Sequence, residues 1–248
     1  MSRDFAFMHG GGQGSWIWAQ TISAMALQSG NRYGRSLALD APGCGAKRAR
    51  DTSGITFPDI VEELVADIEN AGMKDVVLVG HSQAGSVMPA MAELRPGLFR
   101  RLIYVSCSSP APGVTIPQLI GNSLHGENEN EVGWPIDPAT TSREDRYRAM
   151  FCNDMESDEA GRFLDALGPD SWPMSSYQFT DWRYDHLRSV PTTYVVFLQD
   201  QALPVTWQER FAKRYHAGRI TRIDAGHQGM MTRPHALAEV LLIESGIG

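Results

Sequence analysis

A mostly parallel α/β sheet with helices on both faces is the fold class predicted for this 248-residue chain, on three observations. Short β-branched runs alternate with amphipathic helical patterns, as expected of parallel strands joined by crossover helices. One run, Val76-Val77-Leu78-Val79, shows no polar alternation at all and reads as a strand buried on both faces. The rhythm breaks once, between roughly 109 and 188, and then resumes. About eighty residues are too many for a plain connection in a compact domain, so this stretch reads as an insertion folded over the sheet as a cap. No repeat or linker marks a second domain, and a single unit over 1–248 is expected.

In order along the chain, Asp4–Met8 reads as the first strand. The glycine loop HGGGQGS follows, then a helix over roughly Trp18–Gln28 closed by Gly30. Ser36–Leu39 is the second strand and ends in DAPGCG. Phe57–Asn70 places Ile60, Val61, Leu64, Val65 and Ile68 on one helical face. The strand at Val76, a helix from Ala84 to about Leu94 and a strand over Leu102–Ser106 complete the first half. The insertion carries polar tracts such as GENENE and three of the six tryptophans, Trp134, Trp172 and Trp182. One of its short helical patterns starts at Ser157 and stops at Gly168-Pro169. Thr193–Leu198 and Arg219–Ile223 are then strands, and Val205–Tyr215 and Pro234–Glu244 helices.

Composition narrows the function classes. The chain is 42% hydrophobic and 21% charged, enough for one generous core. A formal net charge of -7 argues against nucleic-acid partners, whose phosphates would repel it. Cys44, Cys107 and Cys152 are odd in number and far apart, which fits neither a disulfide framework nor a zinc site and suggests a reducing compartment. The opening MSRDFAFMHG enters a strand almost at once, leaving no room for a signal peptide. No apolar run approaches the ~20 residues of a membrane span. A cytoplasmic protein without a membrane partner is the expectation.

The buried strand at Val76 ends on Gly80-His81-Ser82-Gln83-Ala84, a hydroxyl flanked by small residues. A nucleophile elbow places serine on a tight strand-to-helix turn with its Oγ above the sheet, and residues two before and two after must be small. Gly80 meets that demand, and Ala84 stands where the G-x-S-x-G pattern asks for glycine. The alternative is an ordinary turn. A serine nucleophile needs a base, and the base an acid to hold its tautomer. Among the seven histidines His227 stands out, because DAGHQG follows a strand and precedes the last helix, on the sheet edge where Ser82 must lie. His81 lies within the elbow and is expected to pack beneath it. The acid is found by elimination: CSSP offers no carboxylate, whereas the strand TTYVVFL ends in Gln199-Asp200. Capping of the helix after Pro204 is the other reading of Asp200, and an Asx-turn role suits Asp40. Serine, acid, histidine is the α/β-hydrolase order, and it calls for no metal or cofactor. Donors to a developing oxyanion are expected from the N–H of Gln83 and from the loop His9-Gly10-Gly11-Gly12. That loop is out of register for a G-x-G-x-x-G dinucleotide site.

HGGGQGSWIW, LALDAPGCG, GHSQAG, QDQALP and DAGHQGMM together resemble α/β-hydrolases of the hydroxynitrile lyase and plant methylesterase type, with related bacterial esterases. The resemblance runs over essentially the whole chain. It implies Ser82 as nucleophile, His227 as base, Asp200 as acid, and Gly11 and Gln83 as oxyanion donors. It also implies a cap over the site and, often, a homodimer. Two positions depart from the lyases: Gln228 replaces a lysine after the histidine, and Gly10 replaces a hydroxyl residue in the oxyanion loop. Both departures favour ester hydrolysis over cyanide elimination. The expected substrate is a small apolar or aromatic ester, with Gly10, Trp134 and Gln228 among the residues that meet it. A lactone is the nearest rival substrate, and a non-catalytic small-molecule receptor on the same fold is the rival from another class.

Overall fold

The computed structural model describes residues 3–167 and 170–247. Six strands form one parallel sheet: β1 (Phe5–Met8), β2 (Ser36–Leu39), β3 (Val76–Ser82), β4 (Phe99–Cys107), β5 (Thr192–Phe197) and β6 (Arg219–Ile223). Their spatial order is β2-β1-β3-β4-β5-β6, so the chain starts one strand in from an edge, adds β2 outside it and then winds across to the other edge.

Both faces of the central strands are buried, and the period-2 pleat divides their side chains between two cores. Phe5, Phe7, Val77, Val79, Ile103 and Val105 face one layer, built from α1 (Ala19–Ser29) and α10 (Pro234–Ser245) through Met25, Leu237 and Leu241. Ala6, Met8, Leu78, Leu102 and Tyr104 face the other. There α2 (Phe57–Asn70), α3 (Ala84–Leu94) and α8 (Val205–Arg214) supply Ile60, Leu64, Val87, Met91 and Phe211. Local signals set the helix ends. Thr56 and Asp59 exchange side-chain and backbone hydrogen bonds at the start of α2, and Gly30 ends α1 in the left-handed region at φ 58°.

Two boundaries differ from the sequence expectation. A 3-10 turn over Ser15–Trp18 precedes α1 and drives Trp18 into the core against Phe7, with ring centroids 5.2 Å apart. β4 begins at Phe99, where Phe99 pairs with Val76, although Arg100 and Arg101 break the apolar pattern. These arginines sit near the sheet's N-terminal edge and find partners there, Arg100 with Asp75 and Arg101 with Thr193 and Glu244.

Between β4 and β5 the chain forms α4 (Ile116–Ile120), α5 (Arg143–Phe151), α6 (Ser157–Leu167) and α7 (Met174–Gln178), with a 3-10 turn over Asp185–Ser189. The expected helix stop at Gly168-Pro169 lies outside the described residues. No helix among the described residues is long and apolar enough to cross a membrane. Because every strand is parallel, the loops after β1, β3, β4, β5 and β6 all emerge on one edge, where ligands meet open α/β sheets.

Leu237→Ala in α10, at a fully buried site, is expected to lower the unfolding free energy by about 2–5 kcal/mol. Leu27→Ala in α1, at a side chain 69% exposed, should change it by less than about 0.5 kcal/mol; urea titration of both variants checks the contrast.

Candidate active site

β3 runs buried to His81 and reverses at Ser82, whose φ is +54°, a left-handed conformation that few non-glycine residues adopt. The pairing with β4 shifts register between His81 and Ser82, and α3 starts two residues later. The reversal brings α3 hard against the strand. A Cβ on Gly80 would collide with the Met88 sulfur and approach the Ala84 Cβ to 2.9 Å. One on Gly85 would collide with the Tyr215 hydroxyl and stand 2.5 Å from the Ser108 carbonyl oxygen. The close approaches therefore fall at Gly80 and Gly85, and the methyl of Ala84 is accommodated because residue 80 has none.

Ser82 Oγ lies 3.1 Å from His227 Nε2, and His227 Nδ1 lies 2.7 Å from Asp200 Oδ2. His227 and Asp200 are buried, while Ser82 is half-buried and reaches the cavity. Asp200 also accepts the N–H groups of Ala202 and Leu203 on Oδ1, at 2.7 and 2.8 Å, and the Ser106 hydroxyl on Oδ2 at 2.5 Å. The helix-cap reading of Asp200 is not met, because α8 starts at Val205 without a side-chain cap. Oδ1 instead organises the loop before α8, and Oδ2 faces the imidazole. Within such a series a neutral imidazole can take the serine proton while the carboxylate holds its tautomer and orientation.

The loop after β1 is fixed from beneath. His9 Nε2 accepts the Ala41 N–H, so its proton sits on Nδ1 and is donated to the Gly10 carbonyl at 2.8 Å. Burial pushes the His9 pKa down to about 4, which keeps the ring neutral. Trp172 Nε1 donates to the same Gly10 carbonyl, and the Gly10 N–H donates to Gln13 Oε1. Among the described residues the N–H groups of Gly11 and Gln83 make no hydrogen bond, and both residues line the cavity above Ser82. They are free to receive an anionic oxygen.

That cavity, about 690 Å³, is walled by apolar and aromatic side chains from the segment between β4 and β5. Ile116, Ile120, Trp134, Tyr147, Met150 and Phe151 line it, and Phe151 lies over His227 with ring centroids 5.4 Å apart. Trp134 is thus placed where the sequence expects substrate. Gln228 and Gly10 are not. Gln228 is fully buried behind the loop, accepting from Gln13 Nε2 at 3.1 Å, and Gly10 is packed against Ser82, His81 and Gln13. Trp172 and Trp182 serve structure, donating to the Gly10 and Val114 carbonyls. Asp40 forms no Asx-turn: it accepts from Ser15, 25 positions back, and from the Ala46 N–H six positions on, and so ties two loops together. Asp170 borders the cavity, but both its oxygens are engaged by Arg48. Burial disfavours its charge, yet the bonds from Arg48, Trp16 and Gly45 outweigh that and keep its pKa lowered.

His81 packs beneath the turn as the sequence suggests, but its partner, like the contributions of Asn153, Asp154 and Ser106, carries no sequence signal. His81 donates from Nε2 to the His227 carbonyl at 2.8 Å, and burial together with the neighbouring His227 holds it well below the usual histidine range. After α5, Asn153 donates to the Gln199 carbonyl and Asp154 accepts the Gly226 N–H, pinning the two loops that bear Asp200 and His227. Ser106 bonds Asp200 from the end of β4, and a serine in a polar strand end has no pattern that points to a carboxylate 94 positions away.

Gly85→Ala should destabilise the fold by about 1–3 kcal/mol, because the added methyl meets a hydroxyl, a carbonyl and Cys107 at once. Ala84→Gly should cost about 1–2 kcal/mol, the helix-propensity difference plus one buried methyl, and thermal unfolding of the two variants measures both costs.

The chain resembles known proteins over nearly its whole length. Polyneuridine aldehyde esterase of Rauvolfia serpentina is 25% identical over 97% of this chain and 94% of its own length. Putative methylesterase 11 of Arabidopsis thaliana is 24% identical over 96% of this chain, which spans 63% of that longer relative. An extracellular α/β-hydrolase from a Paenibacillus species, described as sharing structural and functional homology with tobacco salicylic acid binding protein 2, superimposes with a TM-score of 0.77. That likeness covers 98% of both chains at 18% identity and concerns the fold. Residues 5–240 match the model of the alpha/beta hydrolase family, and the chain belongs to that family.

Proposed function

We propose that this protein is a cytoplasmic carboxylic-ester hydrolase that cleaves small apolar or aromatic esters through an acyl-enzyme on Ser82. The observation that carries the reading is the unbroken series Ser82–His227–Asp200, at 3.1 and 2.7 Å, beneath a cavity with two unengaged backbone donors. The relatives named as esterases and methylesterases support the same chemistry. The free buried cysteines support a reducing compartment.

In this reading Ser82 Oγ attacks the ester carbonyl as His227 Nε2 takes its proton. The carbonyl oxygen becomes an oxyanion between the N–H groups of Gly11 and Gln83, a stabilisation worth a few kcal/mol per donor. The C–O bond to the alcohol breaks, and His227 returns the proton to the leaving oxygen. Water, deprotonated by the same imidazole, then attacks the acyl-serine and releases the acid. The apolar wall suits an acyl or alkoxy group without charge. Cyanide elimination would need a cation to receive the leaving anion, and the residue after the histidine is a buried neutral amide bonded to Gln13.

Hydrolysis of p-nitrophenyl acetate and butyrate by the wild type, lost in Ser82→Ala with the fold retained, is the expected result. Cyanide release from mandelonitrile should be absent. Serine-dependent cyanide release without ester turnover would replace the hydrolase reading with a lyase. Asp200→Asn should lower kcat by about 10⁴, because an amide facing Nδ1 favours the wrong tautomer. A loss of tenfold or less, measured on the same esters, would remove Asp200 from the acid's role.

A further inference from the structure

We propose that Ser106 is a positioning residue for the acid: its hydroxyl holds Asp200 Oδ2 on His227, and the strand end that carries it clamps the Ser82 turn. This rests on the hydrolytic reading of Ser82, His227 and Asp200. Ser106 and Asp200 are buried, and the 2.5 Å contact between Ser106 Oγ and Oδ2 is shorter than the 2.7 Å contact from the imidazole to the same oxygen. Short O–H···O⁻ geometry marks a charge-assisted bond. With Oδ1 taken by the Ala202 and Leu203 N–H groups, all four acceptor positions of the carboxylate are filled. Among the described residues no lysine or arginine pairs with Asp200, so these neutral donors and His227 are what its charge meets.

The backbone supplies an independent observation. Ser106 has φ +40°, in the left-handed region where glycine is at ease and other residues are strained. A position whose backbone suits glycine but whose side chain bonds the acid points to a hydroxyl kept for that bond. The next two residues reach the other end of the series. Cys107 Sγ donates to the Gly80 carbonyl at 3.1 Å, and the Ser108 N–H donates to the Ser82 carbonyl at 3.2 Å. Tyr194 and Tyr215 hydroxyls hold the carbonyls of Cys107 and Ser108 in turn. Three consecutive residues at the end of β4 thus tie the acid to the nucleophile turn, and Ser106 is the one that touches the acid.

Two variants separate the hydroxyl from the backbone. Ser106→Ala removes the hydroxyl and keeps the strain, while Ser106→Gly removes the hydroxyl and relieves the strain, so it folds even if the alanine variant does not. Both should lower kcat for p-nitrophenyl butyrate about tenfold, the scale of losing one hydrogen bond to a charged group, with KM within about twofold. The low-field proton resonance of His227 Nδ1–H should shift or broaden in both. The rate at which a fluorophosphonate labels Ser82 should fall in parallel. Wild-type kcat, labelling rate and resonance in Ser106→Gly would overturn the proposal and leave only a backbone role. If the wild type labels at Ser82 but turns over no ester tried, the labelling rates of the variants still decide the role of Ser106. Failure of the wild type to label would remove the hydrolytic reading, and this proposal with it.

Discussion

The left-handed backbone at Ser82 is the constraint on which the rest of the site depends. A strand buried on both faces must pass into a helix within two residues, and only a positive φ there turns the chain sharply enough. The turn forces α3 against β3 and against the end of β4, so that side chains vanish at Gly80 and Gly85. The Ser82 hydroxyl then reaches the cavity that Gln83 also lines. Strain of this kind costs on the order of 1–3 kcal/mol and persists only where surrounding packing over-determines it. Here the packing is two hydrophobic cores that meet across the central strands.

Beneath the turn lies a buried polar layer that a hydrophobic reading of the core would not supply. His9, Gln13, His81 and Trp172 are all buried, and each bonds a backbone group of the loops that carry Gly11 or His227, or a side chain that does. Burial keeps the two histidines neutral, so they act as fixed donors and acceptors and add no charge near the imidazole of His227. A neutral network can be close to the reacting groups without competing for their protons. The same logic accounts for Asp170, whose charge at the cavity wall is cancelled by Arg48.

The segment between β4 and β5 serves both as wall and as brace. Trp134, Tyr147, Phe151 and Tyr177 line the cavity, while Asn153 and Asp154 hold the loops after β5 and β6. Thr232 also donates to Asp154, which extends the brace to the turn following His227. The segment that supplies the cavity wall therefore also holds the loops that bear Asp200 and His227.

Sequence alone determined what depends on local order: the alternation of strand and helix, the apolar run Val76–Val79, the close of the first helix at Gly30, and the chain order of Ser82, Asp200 and His227. These are readable because period, propensity and turn chemistry are properties of neighbours along the chain. Tertiary structure decided what depends on approach between distant segments. Ser106 and Asp200 are 94 positions apart, and His81 and His227 are 146 apart, so no spacing rule joins them. Gln228 follows the histidine directly yet turns away from the cavity into a bond with Gln13, 215 positions away. The start of β4 is hidden in the sequence because its arginines are satisfied by distant residues, Asp75 in the loop before β3, Thr193 in β5 and Glu244 in α10. A side chain's partner across the fold is set by packing, and packing is the one quantity a linear pattern does not contain.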